Sequence, residues 1–309
     1  MTMHFAAIAQ NAAADGVISA KDLAALRRAG WANGAITPDE AEAIFAANHK
    51  LAASDPDWCD FFVEAIGEYV INGSEPRGYV SDDRAAWLIH RVEQDGKLDS
   101  MAELELLVRV LERSQNAPQL LKDRVLAHVE AAVLTGAGPT RRGGQLAAGQ
   151  VTAAEADILR RTIFAAGGDG PACTSRAEAE LLFRLKDASV DAPNAPEWQR
   201  MFVQGVASYL QGSAASDAQL SRERALELET FMNTASPRIT QVLGRIALAS
   251  PNVLDVVFGR KQPPRDRLGE LASAEQVTES ENSWLQAEIA EDGRLDPYEQ
   301  ALLDFLAAD

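Results

Sequence analysis

An all-α fold is what this sequence predicts, and three observations carry the prediction. Apolar residues recur at helical spacing, as in Trp58, Phe62, Ala65, Ile66 and Tyr69, a pattern that lines one face of an α-helix. No segment shows the strict alternation of a half-buried strand. The first half of the chain also recurs in the second. Asp57 to Tyr69 reads DWCDFFVEAIGEY and Glu197 to Tyr209 reads EWQRMFVQGVASY, while WLIHRVEQDGKLD from Trp87 returns as WLQAEIAEDGRLD from Trp284. Each copy must present the same apolar faces, so the repeat predicts a tandem duplication of a multi-helix domain.

Taken in order, the periodic segments predict helices over 20–29, 39–53, 58–69, 82–93, 100–114 and 119–134 in the first copy. In the second they predict helices over 153–165, 176–187, 198–209, 222–233, 238–249, 279–290 and 297–307. The stretch GAGPTRRGGQLAAGQ, from Gly136 to Gln150, has the Gly and Pro content of an exposed linker. The expected organisation is a first domain over 1–137, a linker over 138–148 and a second domain over 149–309. The second copy is longer, and the excess is expected as a helical insertion at about 211–276. That insertion holds Ile239, Val242, Leu243, Ile246 and Leu248 in an apolar pattern, followed by the basic run FGRKQPPRDR from Phe258 to Arg267. It either covers the second core or presents a surface to a partner, which makes 235–270 the expected place for a protein partner.

Composition narrows the function. The chain has 309 residues, 47% of them hydrophobic, and a formal net charge of -17. A field of that sign repels phosphate backbones and anionic membrane surfaces, so neither nucleic acid nor membrane is expected as a partner. Cys59 and Cys173 fall at unrelated places in the two copies and read as reduced thiols, and the opening MTMHFAAIAQNAAADG lacks a basic n-region. A cytoplasmic protein is the expectation. His4, His49, His90 and His128 are scattered with no HExxH pair, GGDGP at Gly167 lacks the Lys-Ser/Thr of a phosphate loop, and no GxSxG elbow occurs. No catalytic residue is assigned, and a non-enzymatic binding or scaffold protein is expected.

A short turn motif runs through both copies: DGVISAKD at Asp15, NGAITPDE at Asn33, RGYVSDD at Arg77, DGKLDS at Asp95, GQVTAAE at Gly149 and DGRLDPYE at Asp292. Its first reading is a helix start. Glycine takes the positive φ that reverses the chain. An aliphatic residue packs down (Ile18, Ile36, Val80, Leu98, Val151 or Leu295), and Ser19, Thr37, Ser81, Asp99, Thr152 or Asp296 caps the helix. Asp22, Glu40, Glu155 or Glu299 then completes a capping box, and Pro38 and Pro297 occupy the first helical position.

The second reading is a divalent-cation loop, in which glycine follows spaced oxygen ligands and an acid closes the loop. On that reading the best calcium ligands are Glu288, Asp292, Asp296 and Glu299, then Asn11, Asp15, Ser19 and Asp22. In these windows of eight to twelve residues the motif resembles EF-hand-like loops and the Asp-Gly turns of the tellurite-resistance (TerB-like) all-helical proteins. The resemblance implies calcium as the ion and a divalent-cation binder as the alternative function. Only about 18 residues separate the Asp15 and Asn33 loops, which leaves room for one intervening helix where an EF-hand pair has two.

Overall fold

Most helices begin where the sequence places a capping side chain. A computed structural model describes residues 2–12, 14, 16–31, 35–51, 55–93, 98, 100–141, 147–168, 174–214, 279–290, 293 and 295–307. Within them lie twelve α-helices: α1 (Thr2–Ala12), α2 (Ala20–Gly30), α3 (Pro38–Asn48), α4 (Pro56–Asn72), α5 (Asp82–Val92), α6 (Met101–Arg113), α7 (Gln119–Thr135), α8 (Ala153–Ile163), α9 (Arg176–Ser189), α10 (Pro196–Ala214), α11 (Glu279–Ala290) and α12 (Pro297–Ala307). The fold class is all-α, and no strand occurs among the described residues. Ser19, Thr37, Ser100, Thr152 and Ser175 each sit in extended backbone and accept the amide three residues on. Asp22, Glu40, Glu103, Glu155 and Glu178 return the bond to the cap's own amide. Ahead of three of these starts or their relatives, Gly16, Gly149 and Gly293 hold φ of 72°, 78° and 69°.

Several expectations are corrected. Helix α1 was not foreseen: its buried residues Phe5 and Ala9 are too few to register as a periodic stripe, and it is held by packing on α2 and α3. Helix α3 stops at Asn48, short of 53, because the amides of Lys50 and Leu51 bond three residues back and tighten the turn. The cap of α6 is Ser100, not Asp99, so the N3 acid is Glu103. Leu295 is 49% exposed and does not pack down as Val151 and Ile36 do. The expected helices over 222–233 and 238–249, the basic run from Phe258 to Arg267 and Cys173 lie outside the described residues, as does the insertion beyond Ala214.

The chain divides into two compact units. One holds Met1–His128 with Ala165–Asp169; the other holds Val129–Phe164 and the described residues from Thr174 onward. The division falls inside α7. In the segment expected as an exposed linker, Pro139–Arg141 form a buried 3-10 turn within the second unit. Arg141 is buried because its guanidinium meets Glu155, with Nη2 donating to Oε2 at 2.9 Å.

In the first unit α4 packs against α6 and α3, and its core is an aromatic cluster. Phe45 meets Phe62 edge-on at 5.2 Å and Trp87 at 5.6 Å, and Trp87 meets Tyr69 at 5.1 Å. In the second unit α10 packs against α12, α8 and α9. Phe183 meets Phe202 edge-on at 5.1 Å and Trp284 at 5.6 Å, and Trp284 meets Tyr209 at 4.9 Å. Edge-to-face pairs of this kind add about 1 kcal/mol each beyond their burial. Trp58 and Trp198, in the first turns of α4 and α10, are both fully buried.

Candidate functional site

A cluster of buried charge lies in the second unit, around Lys186. Helix α9 starts at the Ser175–Glu178 capping box and buries Leu182, Phe183, Lys186 and Ser189 on one stripe. Lys186 therefore enters the interior at a position where helical spacing calls for an apolar residue, and its side chain is 1% exposed. Its Nζ donates to Glu299 Oε1 at 2.6 Å and lies 2.8 Å from Asp296 Oδ2 and 2.6 Å from Asp187 Oδ1.

The start of α12 brings the first two of these carboxylates to it. Asp296 Oδ1 accepts the amides of Tyr298 and Glu299 at 2.7 and 2.9 Å, and Glu299 Oε2 accepts the amide of Asp296 at 2.9 Å. All four oxygens of Asp296 and Glu299 are thus engaged. One oxygen of each serves the helix start, and the other serves the ammonium.

Three carboxylates share a single cation here. Burial opposes the charge on Lys186, but the bonds to Asp187, Asp296 and Glu299 outweigh it and hold the ammonium above its ordinary range. Burial pushes the Glu299 carboxyl up, against the pull of Lys186 and the Asp296 amide. The Tyr298 hydroxyl is also raised by burial, with the Asn194 amide donating to it at 2.9 Å and acting the other way. An amine kept protonated in this way is not a nucleophile or a base, since both roles need the free amine.

In the first unit a neutral side chain, Asn48, meets the acid at a helix start. At the C-terminal turn of α3, Asn48 accepts from Trp58 Nε1 at 3.0 Å and donates to Glu103 Oε1 at 3.4 Å. Glu103 is the N3 acid of α6, as Glu299 follows the cap of α12 by three residues. In the second unit the neighbouring indole, Trp198, donates instead to Ser189 Oγ at 3.2 Å.

The residues named from the sequence as calcium ligands are only partly brought together. Asp296 and Glu299 meet, with the Lys186 ammonium seated between them and Asp187. Glu288 lies part-exposed on α11, where its charge acts on Arg176. Ser19 and Asp22 form a capping box, and hydrogen bonds from Ser19 hold the Asp22 carboxyl below its usual range. Asn11 is exposed on α1, and its backbone carbonyl accepts the amide of Ala14 at 3.2 Å. Asp15 and Asp292 lie outside the described residues. Among the described residues, no group of three His, Cys, Asp or Glu side chains is arranged to hold a metal ion.

Sequence reasoning missed Lys186 and Arg141. A signal for the first was present: Lys186 stands three residues after Phe183 on an otherwise buried stripe. No protein-family model, curated protein or solved structure matches the chain. No helix among the described residues is long and apolar enough to cross a membrane.

Proposed function

We propose that this chain is a non-enzymatic binding or scaffold protein of the cytoplasm, built from a tandem duplication of a helical domain. The observation that carries the reading is the use to which Asp296 and Glu299 are put: their oxygens are taken up by helix amides and the Lys186 ammonium. Groups committed to holding the fold are not available as a reactive or metal-binding set. The matched aromatic clusters, Phe45–Phe62–Trp87–Tyr69 and Phe183–Phe202–Trp284–Tyr209, support the duplication.

A divalent ion at Asp296 and Glu299 would have to displace an ammonium already paired with both, which weighs against the EF-hand-like reading. The test is a calcium and magnesium titration by calorimetry beside a chelated control, followed by affinity capture with the full chain and with a chain lacking 235–270. The scaffold reading expects no saturable metal heat and a stoichiometric protein partner that is lost with the deletion. A calcium-dependent rise in melting temperature that Glu299→Gln abolishes would replace it with the cation-binding reading. Capture of no stoichiometric partner by either chain would remove the scaffold reading.

A further inference from the structure

Among the described residues, a recess lined by two arginines opens in the first unit, where the last turns of α4 and α6 meet the loop before α5. It has a volume of about 240 Å³ and is lined by Ile71, Asn72, Arg77, Gly78, Arg113 and Gln115. Its walls are fixed by backbone bonds. The Gly78 amide donates to Ile71 O at 3.1 Å, the Gln115 amide to Gly78 O at 2.7 Å, and the Val80 amide to Asn116 O at 3.0 Å. Gly78 has φ of 87°, and a Cβ there would meet the Gln115 side chain at 3.2 Å.

Each guanidinium at the recess is held only by a loose ion pair. Arg77 Nε lies 3.6 Å from Glu75 Oε1, and Arg113 Nη2 lies 3.9 Å from Glu68 Oε2, both longer than a charge-assisted hydrogen bond. The Glu68 oxygen facing Arg113 also accepts the Asn72 side-chain amide at 3.0 Å. Both arginine side chains are more than half exposed, at 68% and 51%, so they turn toward a ligand without leaving a buried bond behind.

Helix C-termini carry partial negative charge that would oppose an anion. Here four of the last-turn carbonyls are occupied: Tyr69 O accepts the Gly73 amide and Arg84, Ile71 O the Gly78 amide, Val110 O the Ser114 amide and Leu111 O the Gly167 amide. We propose that this recess binds a small oxyanion, of the phosphate or phosphomonoester class, between the forks of Arg77 and Arg113. The Gln115 side-chain amide, which makes no hydrogen bond to a described residue, supplies a further donor. The surrounding negative field disfavours a long polyanion more than a small ion, which carries fewer charges into it.

Inorganic phosphate is the probe, titrated by calorimetry into the full chain at constant ionic strength set with chloride. The proposal expects saturable binding weakened about tenfold or more by Arg77→Ala and by Arg113→Ala, each removing a charge-assisted pair. Arg176→Ala, which removes an exposed arginine of the second unit, is expected to leave it unchanged. Arg77 sits on an exposed loop, so its variant keeps the test valid if Arg113→Ala weakens the end of α6. Absence of saturable phosphate binding, or binding that chloride displaces at equal concentration, or binding indifferent to Arg77→Ala, overturns the proposal.

Discussion

Replacing Lys186 with methionine keeps most of the buried stem and removes only the ammonium. Glu299 is then left at 0% exposure, beside Asp296, with no cation. Breaking a buried ion pair from one side costs about 3–5 kcal/mol, because the stranded charge has lost its compensation. Exposed Asp187 recovers hydration and adds little. The pH dependence follows from the two shifts. Lys186 is raised in the fold, so its contribution is fully present below its unfolded value of about 10.4 and is lost only as pH rises through the higher folded value. Glu299 is also raised, so its ionisation costs stability at neutral pH, and that cost is relieved as pH falls through the raised value toward about 4.3. Without Lys186 the relief is larger. Urea denaturation at pH 8 and pH 5 should therefore show a large loss for Lys186→Met that shrinks on acidification, and Lys186→Met/Glu299→Gln should recover part of it. A variant within about 1 kcal/mol of wild type at pH 8, or a loss that does not change with pH, would refute the buried cluster.

Two further substitutions test how the helices are launched. Ser100→Ala should destabilise by about 1 kcal/mol in chemical denaturation, because Ser100 closes the box with Glu103 at the start of α6. Gly149→Ala should cost more, about 2 kcal/mol by the same assay: φ is 78° there, and the new Cβ would stand 2.6 Å from the Ala188 carbonyl oxygen. A near-neutral Gly149→Ala would mean that this turn relaxes freely. These changes and the titrations with calcium and phosphate probe separate parts of the molecule, so no single failure removes the others.

Much of the helical framework was legible in residue order. Ser19 with Asp22, Thr37 with Glu40 and Thr152 with Glu155 announced three starts, because a cap and its N3 acid are neighbours along the chain and their bonding needs no tertiary partner. The one-residue shift from Asp99 to Ser100 marks where that local logic ran out: both residues can cap, and burial of Leu98 and Glu103 is a property of the packed unit. Helix α1 escaped for a similar reason, since Phe5 and Ala9 acquire their helical role only against α2 and α3.

The amino-acid order by itself determined the helical class, most helix starts and the recurrence of the aromatic residues, all of which rest on contacts within a few residues or on spacing. Tertiary structure alone decided which distant cations two of the acids at the turns meet. Lys186 and Glu299 are separated by 113 positions, and Arg141 meets Glu155 only after a buried 3-10 turn carries it inward. A carboxylate that could hold a calcium ion and one that holds a lysine look the same along the chain. The difference is which distant cation the packing delivers to it.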